Sequence, residues 1–387
     1  MSQTKAQLVS GTSAQDLTVD NINTSSVNST QISGRKNIII NGAMQVNQRA
    51  PSGYSWASGG TLSGYTLDRF RFDLFPFGGT SATATVTQST TAPDGFTNSL
   101  KVDVTATDTS LVGNNYSQLS YQAERQDIRH FAYGTSAAKS ITLSFYVRSN
   151  KTGNYNVNIL QYGSSTRLAS FTYAISSADT WERKTITIAG DTGGNVVDGN
   201  TAGLNINFGL AYGGNYITGS NQNSFGSYVA ANSGVGQDVN LYDSTSNEWY
   251  ITGIQLEVGS TATDFEHRGF GEEYALCQRY YQRSYSYGTA IGATTSVGAV
   301  MHACSVVQTY ASPGSIKFPV NMRAVPTITI YSAQTGTAGK INSDSTDGNG
   351  TAFGTNETGT MFTRSNDSSG VGVNAFVRVH YVADAEL

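Results

Sequence analysis

Histidine and cysteine, the residue types that most often carry catalysis or bind metals, form no recognisable motif in this chain. The four histidines are far apart and lack metal-ligand spacing such as a helical HExxH or paired CxxC motifs. No phosphate-binding loop or nucleophile elbow is present, and no GxGxxG follows a strand and opens a helix. We therefore expect structural or surface roles for all four, which are His130, His267, His302 and His380.

Paired carboxylates could hydrolyse a glycosidic bond, but no convincing pair stands out. Glu272 and Glu273 are neighbours on a predicted helix, so their side chains diverge and cannot flank one bond. Other acids have no spacing that pairs them, namely Asp68, Asp73, Glu124, Asp127 and Glu257. The sequence therefore predicts no catalytic residue and a protein that is not an enzyme.

The tripeptide Asp68-Arg69-Phe70 has two interpretations. A functional one makes the Asp and Arg an ion pair that contacts a ligand. In the structural one, which we favour, Asp68 caps a turn, Arg69 pairs with an acid and Phe70 enters the core.

Calcium is the one metal that the sequence indicates as a possible ligand. Asp191 and Asp243 lie in acidic turns that could bind it, but the EF-hand ligand pattern is absent. We expect no cofactor and no metal-ligating residue, with calcium as an open alternative.

Aromatic residues in polar surroundings are the better candidates for binding. Sugars present flat faces that stack on Trp and Tyr rings, while their hydroxyls pair with Asn, Gln and Asp. Packing or contact between subunits is the competing interpretation, and Trp181 and Trp249 lie at strands and are expected in the core. Our candidates for glycan binding are Trp56, Tyr212, Tyr216 and Tyr228 in predicted loops, with Tyr310 and Tyr331 nearer the carboxyl end.

Strand patterns position most of these residues. The segment SITLSFYVRS at 140–149 alternates apolar and polar residues with the period of a half-buried strand. Many such strands separated by turns predict a jelly-roll-like β-sandwich over 36–268. In EWYITGIQLEVG, at 248–259, strict alternation would place Trp249 and Gln255 on one face and Ile254 on the other.

One amphipathic helix interrupts the β pattern. Tyr274, Cys277 and Tyr281 lie at i, i+3 and i+7, and acidic residues near the start and basic residues in the second half match the helix dipole, so a helix is predicted over 271–285. We interpret 269–287 as a connector between two β units. The second unit, 288–387, is predicted to be a smaller β-sandwich with a polar loop or hairpin at 335–359. Residues 1–35 contain no aromatic residue and are predicted to form an extended arm, with a flexible tail as the alternative.

Composition agrees with an all-β class and excludes several functions. The 387 residues carry 42 glycines, only 13% charged residues and a net charge of −4. Lys and Arg form no cluster, so nucleic acid is not an expected partner. No secretion signal and no membrane-spanning run is apparent. The two cysteines, Cys277 and Cys304, are expected to be reduced in a protein made in a cytoplasm.

Three parts of the chain stand out as a combination. They are KNIIINGAMQVNQR followed by YTLDRFRF, then GIQLEVGSTATDFEHRGFGEEYALCQRYYQRSY, and finally FPVNMRAVPTITIYS with the terminal HYVADAEL. Together they resemble segments of tail-fibre-like virion proteins of marine bacteriophages. The layout of 36–268 is also similar to that of jelly-roll carbohydrate-binding modules, a likeness of fold alone.

The resemblance implies a bacteriophage tail fibre, a structural virion protein that is homotrimeric. It implies attachment to a tail or adaptor protein through residues 1–35, and contact with a host-surface glycan or other receptor through the distal β domain. A capsid-decorating fibre and a separable lectin-like module are the alternatives. In the trimer, the helix would meet a neighbouring chain through Tyr274, Cys277, Tyr281 and Tyr285.

Overall fold

The computed structural model describes residues 26–27, 30–31, 35–49, 53–55, 62–75, 82–220, 223–304, 311–344, 346–364, 371 and 375–387. It confirms the all-β class. The strands are β1 Ser26–Val27, β2 Thr30–Gln31, β3 Tyr54–Ser55, β4 Leu62–Tyr65, β5 Phe70–Phe75, β6 Thr83–Ser89, β7 Ser99–Ala106, β8 Tyr116–Glu124, β9 Ile141–Ser149, β10 Gly153–Tyr162, β11 Thr166–Ile175, β12 Glu182–Ile188, β13 Ala202–Tyr212, β14 Gly226–Ser227, β15 Glu248–Val258, β16 Tyr281–Arg283, β17 Val300–Ala303, β18 Ala311–Lys317, β19 Thr327–Ser332, β20 Lys340–Ser343, β21 Thr346–Asn356, β22 Gly359–Arg364 and β23 Phe376–Asp384. The α-helices are Gly214–Ile217 and Phe270–Gln278, and short 3-10 turns lie at Arg125–Phe131, Ala230–Asn232 and Leu241–Asp243.

Two antiparallel sheets form the first unit, which we call the body. The seven-stranded sheet has the order β14-β11-β10-β13-β8-β5-β4, and the six-stranded sheet has the order β12-β9-β15-β7-β6-β3. One apolar cluster fills the space between them and includes Phe72, Leu143, Phe208 and Trp249. The inward side chains of both sheets therefore build one core, as in a β-sandwich.

The alternation in β9 is confirmed, because Ile141, Leu143, Phe145 and Val147 all lie in the apolar core between the sheets. Strict alternation in β15 is wrong. The register between β15 and β9 shifts between Thr252 and Gln255, and Gly253 lies in this bulge with a φ of 62°. The extra residue reverses the faces beyond it, so that the core receives Trp249, Ile251, Ile254 and Leu256.

The carboxyl-terminal unit is organised around β23, which pairs with β16, β17, β19 and β20. For the polar stretch 335–359, the hairpin alternative is confirmed and the long loop is wrong. The stretch contributes β20 and most of β21, which pair with each other, and β21 pairs onward with β22. Gly350 fits here because a β-carbon would lie 2.4 Å from Ile341 Cγ1. Close strand packing, rather than a flexible excursion, explains this glycine.

The helix between the two units, which we call the joint helix, covers Phe270–Gln278 and is shorter than predicted. The predicted extension to 285 is wrong, because Tyr281–Arg283 is a strand that pairs with Val382–Asp384. Tyrosine favours pleated surfaces, and pairing with β23 outweighs the helical spacing seen in the sequence. Cys277 packs in a small cluster with Ile40, Val46 and Tyr280.

The structural interpretation of Asp68-Arg69-Phe70 is confirmed for Arg69 and Phe70, whereas Asp68 bonds to a residue 20 positions away instead of capping a turn. Asp68 accepts hydrogen bonds from the backbone N–H and the side-chain amide of Gln48, both at 2.6 Å. Arg69 is fully buried and pairs with Glu386, while Phe70 lies in the core. This motif therefore builds the junction between the body and the residues at the chain's carboxyl end.

The arm prediction concerns residues 1–35, of which most lie outside the described part of the chain. Within it, β1 and β2 pair with each other in a short antiparallel hairpin. No helix among the described residues is both long and apolar enough to cross a bilayer.

Candidate functional site

A polar groove lies on the face of the seven-stranded sheet that points away from the core. It has a volume of about 280 Å³ and crosses strands β5, β8, β13 and β10. Alternation in each strand sends apolar side chains inward and polar ones into the groove. Its lining comprises Arg71, Asp73, Tyr116, Gln118, Ser120, Gln122, Asn158, Leu160, Tyr162, Asn205, Asn207, Tyr212, Tyr216, Tyr228 and Ser233.

A hydrogen-bond chain fixes the middle of the groove floor. Ser120 Oγ lies 3.3 Å from a carboxylate oxygen of Asp73 and 2.8 Å from Asn207 Oδ1. Asn207 Nδ2 donates to Asn158 Oδ1 at 2.9 Å, and Asn158 Nδ2 donates to the Tyr212 hydroxyl at 3.1 Å. Each side chain is held by neighbours on other strands, so the floor is preorganised for a ligand.

Two amide oxygens at one end of the floor lack a hydrogen-bond donor within the described part of the chain. Asn205 Oδ1 and Gln122 Oε1 are buried, and neither accepts a hydrogen bond from any described residue. The two residues face each other across β13 and β8. Because an unpaired buried acceptor is costly, these oxygens indicate a place where a ligand hydroxyl would donate.

Five tyrosines surround this polar floor. Tyr216 packs edge-on against Tyr116 at 5.4 Å and tilted against Tyr212 at 5.8 Å between ring centroids. Tyr162 is half-buried and Tyr228 is 44% exposed. Burial raises the pKa of Tyr116, Tyr162, Tyr212 and Tyr216. These hydroxyls therefore remain neutral donors at physiological pH.

The groove carries little net charge. Arg71 Nε donates to Asp73 Oδ1 at 2.8 Å, so the two charged residues of the lining offset each other. Asp73 is the one carboxylate among the described lining residues, and it also accepts from Ser63 at 2.6 Å. The groove thus does not present the two carboxylates that flank a bond in glycoside hydrolysis.

The groove brings together three of the six predicted glycan-binding residues, Tyr212, Tyr216 and Tyr228. Tyr212 ends β13 rather than lying in a loop, and its hydroxyl donates to Gln118 at 3.0 Å. Tyr331 lies elsewhere, in the carboxyl-terminal sheet beside Tyr285. Trp56 and Tyr310 lie outside the described residues.

Sequence reasoning missed Tyr116, Tyr162 and the amide-rich floor. A signal was present, because Asn156 and Asn158 in β10, and Asn205 and Asn207 in β13, alternate with buried apolar residues. Outward amides at every second position are typical of a polar sheet face. Their convergence depends on strand register, which the sequence alone does not give.

Three of the four predicted trimer-contact residues are buried within this chain. Cys277 is fully buried, Tyr281 lies under the Arg49 guanidinium at 3.8 Å, and Tyr285 stacks on His380 at 3.9 Å. They therefore offer little surface to a neighbouring chain. Tyr274 is half-buried and stacks on Phe270 at 5.9 Å. Trimer formation stays a prediction.

The acidic turns named for calcium are engaged with basic residues. Asp191 pairs with Arg167 at 2.5 Å, and Asp243 pairs with Lys151. Among the described residues there is no group of three or more histidine, cysteine or acidic side chains that could hold a metal ion.

Comparison with known proteins finds no matching family model and no matching curated protein. Among solved structures, the chain is similar to the enzymatically active domain of tailspike protein 4 of bacteriophage CBA120. That match has 10% identity and a TM-score of 0.29, and covers 57% of this chain and 21% of the other, so this chain spans about a fifth of the tailspike domain.

Two carbohydrate-binding modules are also similar. A family 4 module matches with 13% identity and a TM-score of 0.27 over 56% of this chain and 97% of the module. The family 11 module of a Clostridium thermocellum cellulase matches with 9% identity and a TM-score of 0.27 over 61% and 100%. At these values the similarities carry no argument about function, which is argued below from the geometry of the groove.

Proposed function

We propose that the chain binds a neutral glycan in the groove on the outer face of the seven-stranded sheet. The observation that carries this proposal is the floor of fixed amide and hydroxyl side chains bordered by tyrosine rings. Polar side chains that are already oriented can bond to sugar hydroxyls, while rings stack on the apolar sugar faces. The unpaired oxygens of Asn205 and Gln122 give two hydroxyl positions.

The dimensions favour a stretch of several sugar units over a single ring. Strands in a sheet are ~4.8 Å apart, so the four strands of the groove cover roughly 14 Å across. The balanced charge of Arg71 and Asp73 favours uncharged sugars. With one described carboxylate in the lining, the groove favours binding over hydrolysis.

The test is titration of full-length protein with neutral tetrasaccharides of differing linkage, namely cello-, xylo-, manno- and laminaritetraose. We expect one or more to bind, and Tyr162→Ala and Tyr228→Ala each to weaken binding about tenfold through loss of a stacking ring. Tyr54→Ala is the matched control, because Tyr54 is 41% exposed on the other sheet. If all three variants bind with the affinity of the wild type, or if no tetrasaccharide binds, the groove is excluded as the site for neutral glycans.

We further propose, from the sequence resemblance alone, that this binding serves a bacteriophage fibre. In that role the chain is a homotrimeric virion protein that is attached through residues 1–35 and contacts the host surface. The carboxyl-terminal unit would then point away from the particle. A capsid-decorating fibre is the alternative, and labelling of purified virions with an antibody to this chain would separate tail from capsid attachment.

The oligomer is tested separately by light scattering after size exclusion. A mass near three times 41.0 kDa supports the trimer. A monomer in both free solution and detergent-released virion extracts would contradict it, without affecting the proposal for the groove.

A further inference from the structure

A second polar pocket lies in the carboxyl-terminal unit, far in sequence from the groove. It has a volume of about 360 Å³, within the range of small-ligand sites. Seven of its eight lining residues are polar or charged, and they come from a loop, two strand ends and β23. The lining is Thr294, Thr295, Ser296, Ala333, Gln334, Asn342, Asp344 and Arg378.

His380 fixes the wall of this pocket that is formed by the loop at 294–296. The His380 ring donates from Nε2 to Thr295 O at 2.9 Å and accepts at Nδ1 from Ser284 Oγ at 2.8 Å. Tyr285 stacks on the same ring at 3.9 Å, and His380 is fully buried. The loop at 294–296 is therefore anchored to the sheet, so the pocket exists before any ligand arrives.

The opposite wall is also fixed. Asn342 is fully buried and its Nδ2 donates to Gln334 Oε1 at 2.5 Å, which orients the Gln334 amide. Asp344 Oδ1 accepts from the backbone N–H of Phe376 at 3.1 Å. Asn342 Oδ1 accepts no hydrogen bond from any described residue, so this wall retains an unused acceptor.

Arg378 provides the positive charge of the pocket, and Asp344 is its one acidic residue among the described lining residues. The Arg378 side chain is half-buried, and its guanidinium forms neither an ion pair nor a hydrogen bond with any described residue. The guanidinium lies 5.4 Å from the ring centre of Phe376, which is 42% exposed. In the groove, by contrast, Arg71 is neutralised by Asp73.

These features match one ligand chemistry. A planar guanidinium with free donors suits a carboxylate, which it can bind through two parallel hydrogen bonds. The hydroxyl and amide groups of the walls suit ring hydroxyls, and the exposed Phe376 offers a stacking surface. Asp344 can accept a hydroxyl and, as an anion, disfavours ligands with several negative charges.

We propose that this pocket binds an acidic sugar unit with one carboxylate, such as a uronic acid, with Arg378 as the residue that recognises the carboxylate. The chain then has two recognition sites of different chemistry, one for neutral sugars in the body and one for acidic sugars in the carboxyl-terminal unit. The second site does not depend on the first.

The experiment titrates the full-length protein with methyl glycosides of four uronic acids, glucuronic, galacturonic, mannuronic and guluronic acid. Each is compared with its neutral parent sugar. We expect at least one uronide to bind, its parent to bind at least tenfold more weakly, and Arg378→Gln to weaken uronide binding on the order of tenfold to a hundredfold. Lys317→Gln removes a similar charge from an exposed site on the same unit and should have no effect.

A second variant tests the pocket without changing the sheet. Ser296 is exposed on the loop wall, and Ser296→Tyr should fill the opening and reduce uronide binding while leaving thermal stability unchanged. The proposal is overturned if no uronide binds, if parent and uronide bind equally, or if neither variant weakens binding. Tyr228→Ala, which tests the groove, should leave uronide binding unchanged, so failure of one site is distinguishable from failure of the other.

Discussion

Replacing Glu386 should destabilise the body, although this residue lies near the carboxyl-terminal end of the sequence. The Glu386 carboxylate pairs with Arg49 at 3.0 Å through one oxygen and with Arg69 through the other. The side chains of Arg49, Arg69 and Glu386 are 7%, 0% and 4% exposed. Although burial lowers the pKa of both arginines, the nearby carboxylates outweigh it and raise these pKa values above their usual range.

The expected loss of stability follows from the buried arginine charges that remain when the Glu386 carboxylate is removed. Breaking a buried ion pair by removing one partner costs about 3 to 5 kcal/mol, because the other charge remains buried. Glu386→Gln leaves two guanidinium groups, with Asp384, which is 37% exposed, as the remaining carboxylate partner of Arg49. We therefore expect the free energy of unfolding to fall by about 3 to 5 kcal/mol.

The assay is chemical denaturation followed by tryptophan fluorescence, because Trp249 is fully buried in the body and reports its unfolding. Glu272→Gln is the control, since its pair with Arg35 is half exposed on both sides and should contribute at most about 1 kcal/mol. The double variant Arg69→Met with Glu386→Gln should be more stable than Glu386→Gln alone. The reasoning is refuted if Glu386→Gln lowers the free energy of unfolding by less than about 1 kcal/mol. It is also refuted if the double variant is less stable than Glu386→Gln alone.

Three further predictions follow from the same contacts. A fragment of residues 36–268 should not give the cooperative unfolding transition of the whole chain, as checked by calorimetry, because it lacks the partner of its buried arginines. Burial lowers the pKa of His380 from 6.5, so stability should be constant above that pH and decrease as the pH falls through it. Thermal unfolding between pH 8 and 5.5 should show a smaller decrease in His380→Asn than in wild type and His302→Asn, because burial also lowers the pKa of His130, which remains in every variant. Tyr280→Phe removes a 2.6 Å hydrogen bond to the buried Glu124 and should cost about 1.5 to 3 kcal/mol in denaturant titration, whereas a loss within error would show that the bond contributes nothing.

Strand periodicity was sufficient to predict the all-β class but not the exceptions to alternation. The β15 bulge depends on Gly253 adopting a positive φ against β9, and a lone glycine in a strand does not show on which side the extra residue lies. The early end of the joint helix has a similar cause. Tyr281–Arg283 becomes a strand because it pairs with β23, which lies about a hundred residues later in the chain.

The candidate groove could be predicted only in part. Tyr212, Tyr216 and Tyr228 were found because aromatic residues in polar stretches are visible in the sequence. The floor was not found, because Ser120, Asn158 and Asn207 become neighbours only through the registers of β8, β13 and β10. Those registers follow from how the whole sandwich packs, which no local pattern contains.

The segments that resemble phage fibres converge at one place, the junction between the two units. Arg49 and Arg69 come from the first pair of segments, Tyr280 from the second and Glu386 from the last. In the folded chain, Glu386 pairs with both arginines, and the Arg69 guanidinium lies 3.5 Å from the ring centre of Tyr280.

Arg323, from the same carboxyl-terminal pair of segments, adds a second clamp by donating to Ala385 O at 2.5 Å and to Glu386 O at 2.8 Å. The segments that carry the resemblance therefore contribute to the contacts that join the two β units. With the exception of Arg71, every residue that lines the groove or the Arg378 pocket lies outside these segments. The two proposed sugar-binding sites therefore lie almost entirely on surfaces that the resemblance does not describe, and glycan binding has to be measured on this chain itself.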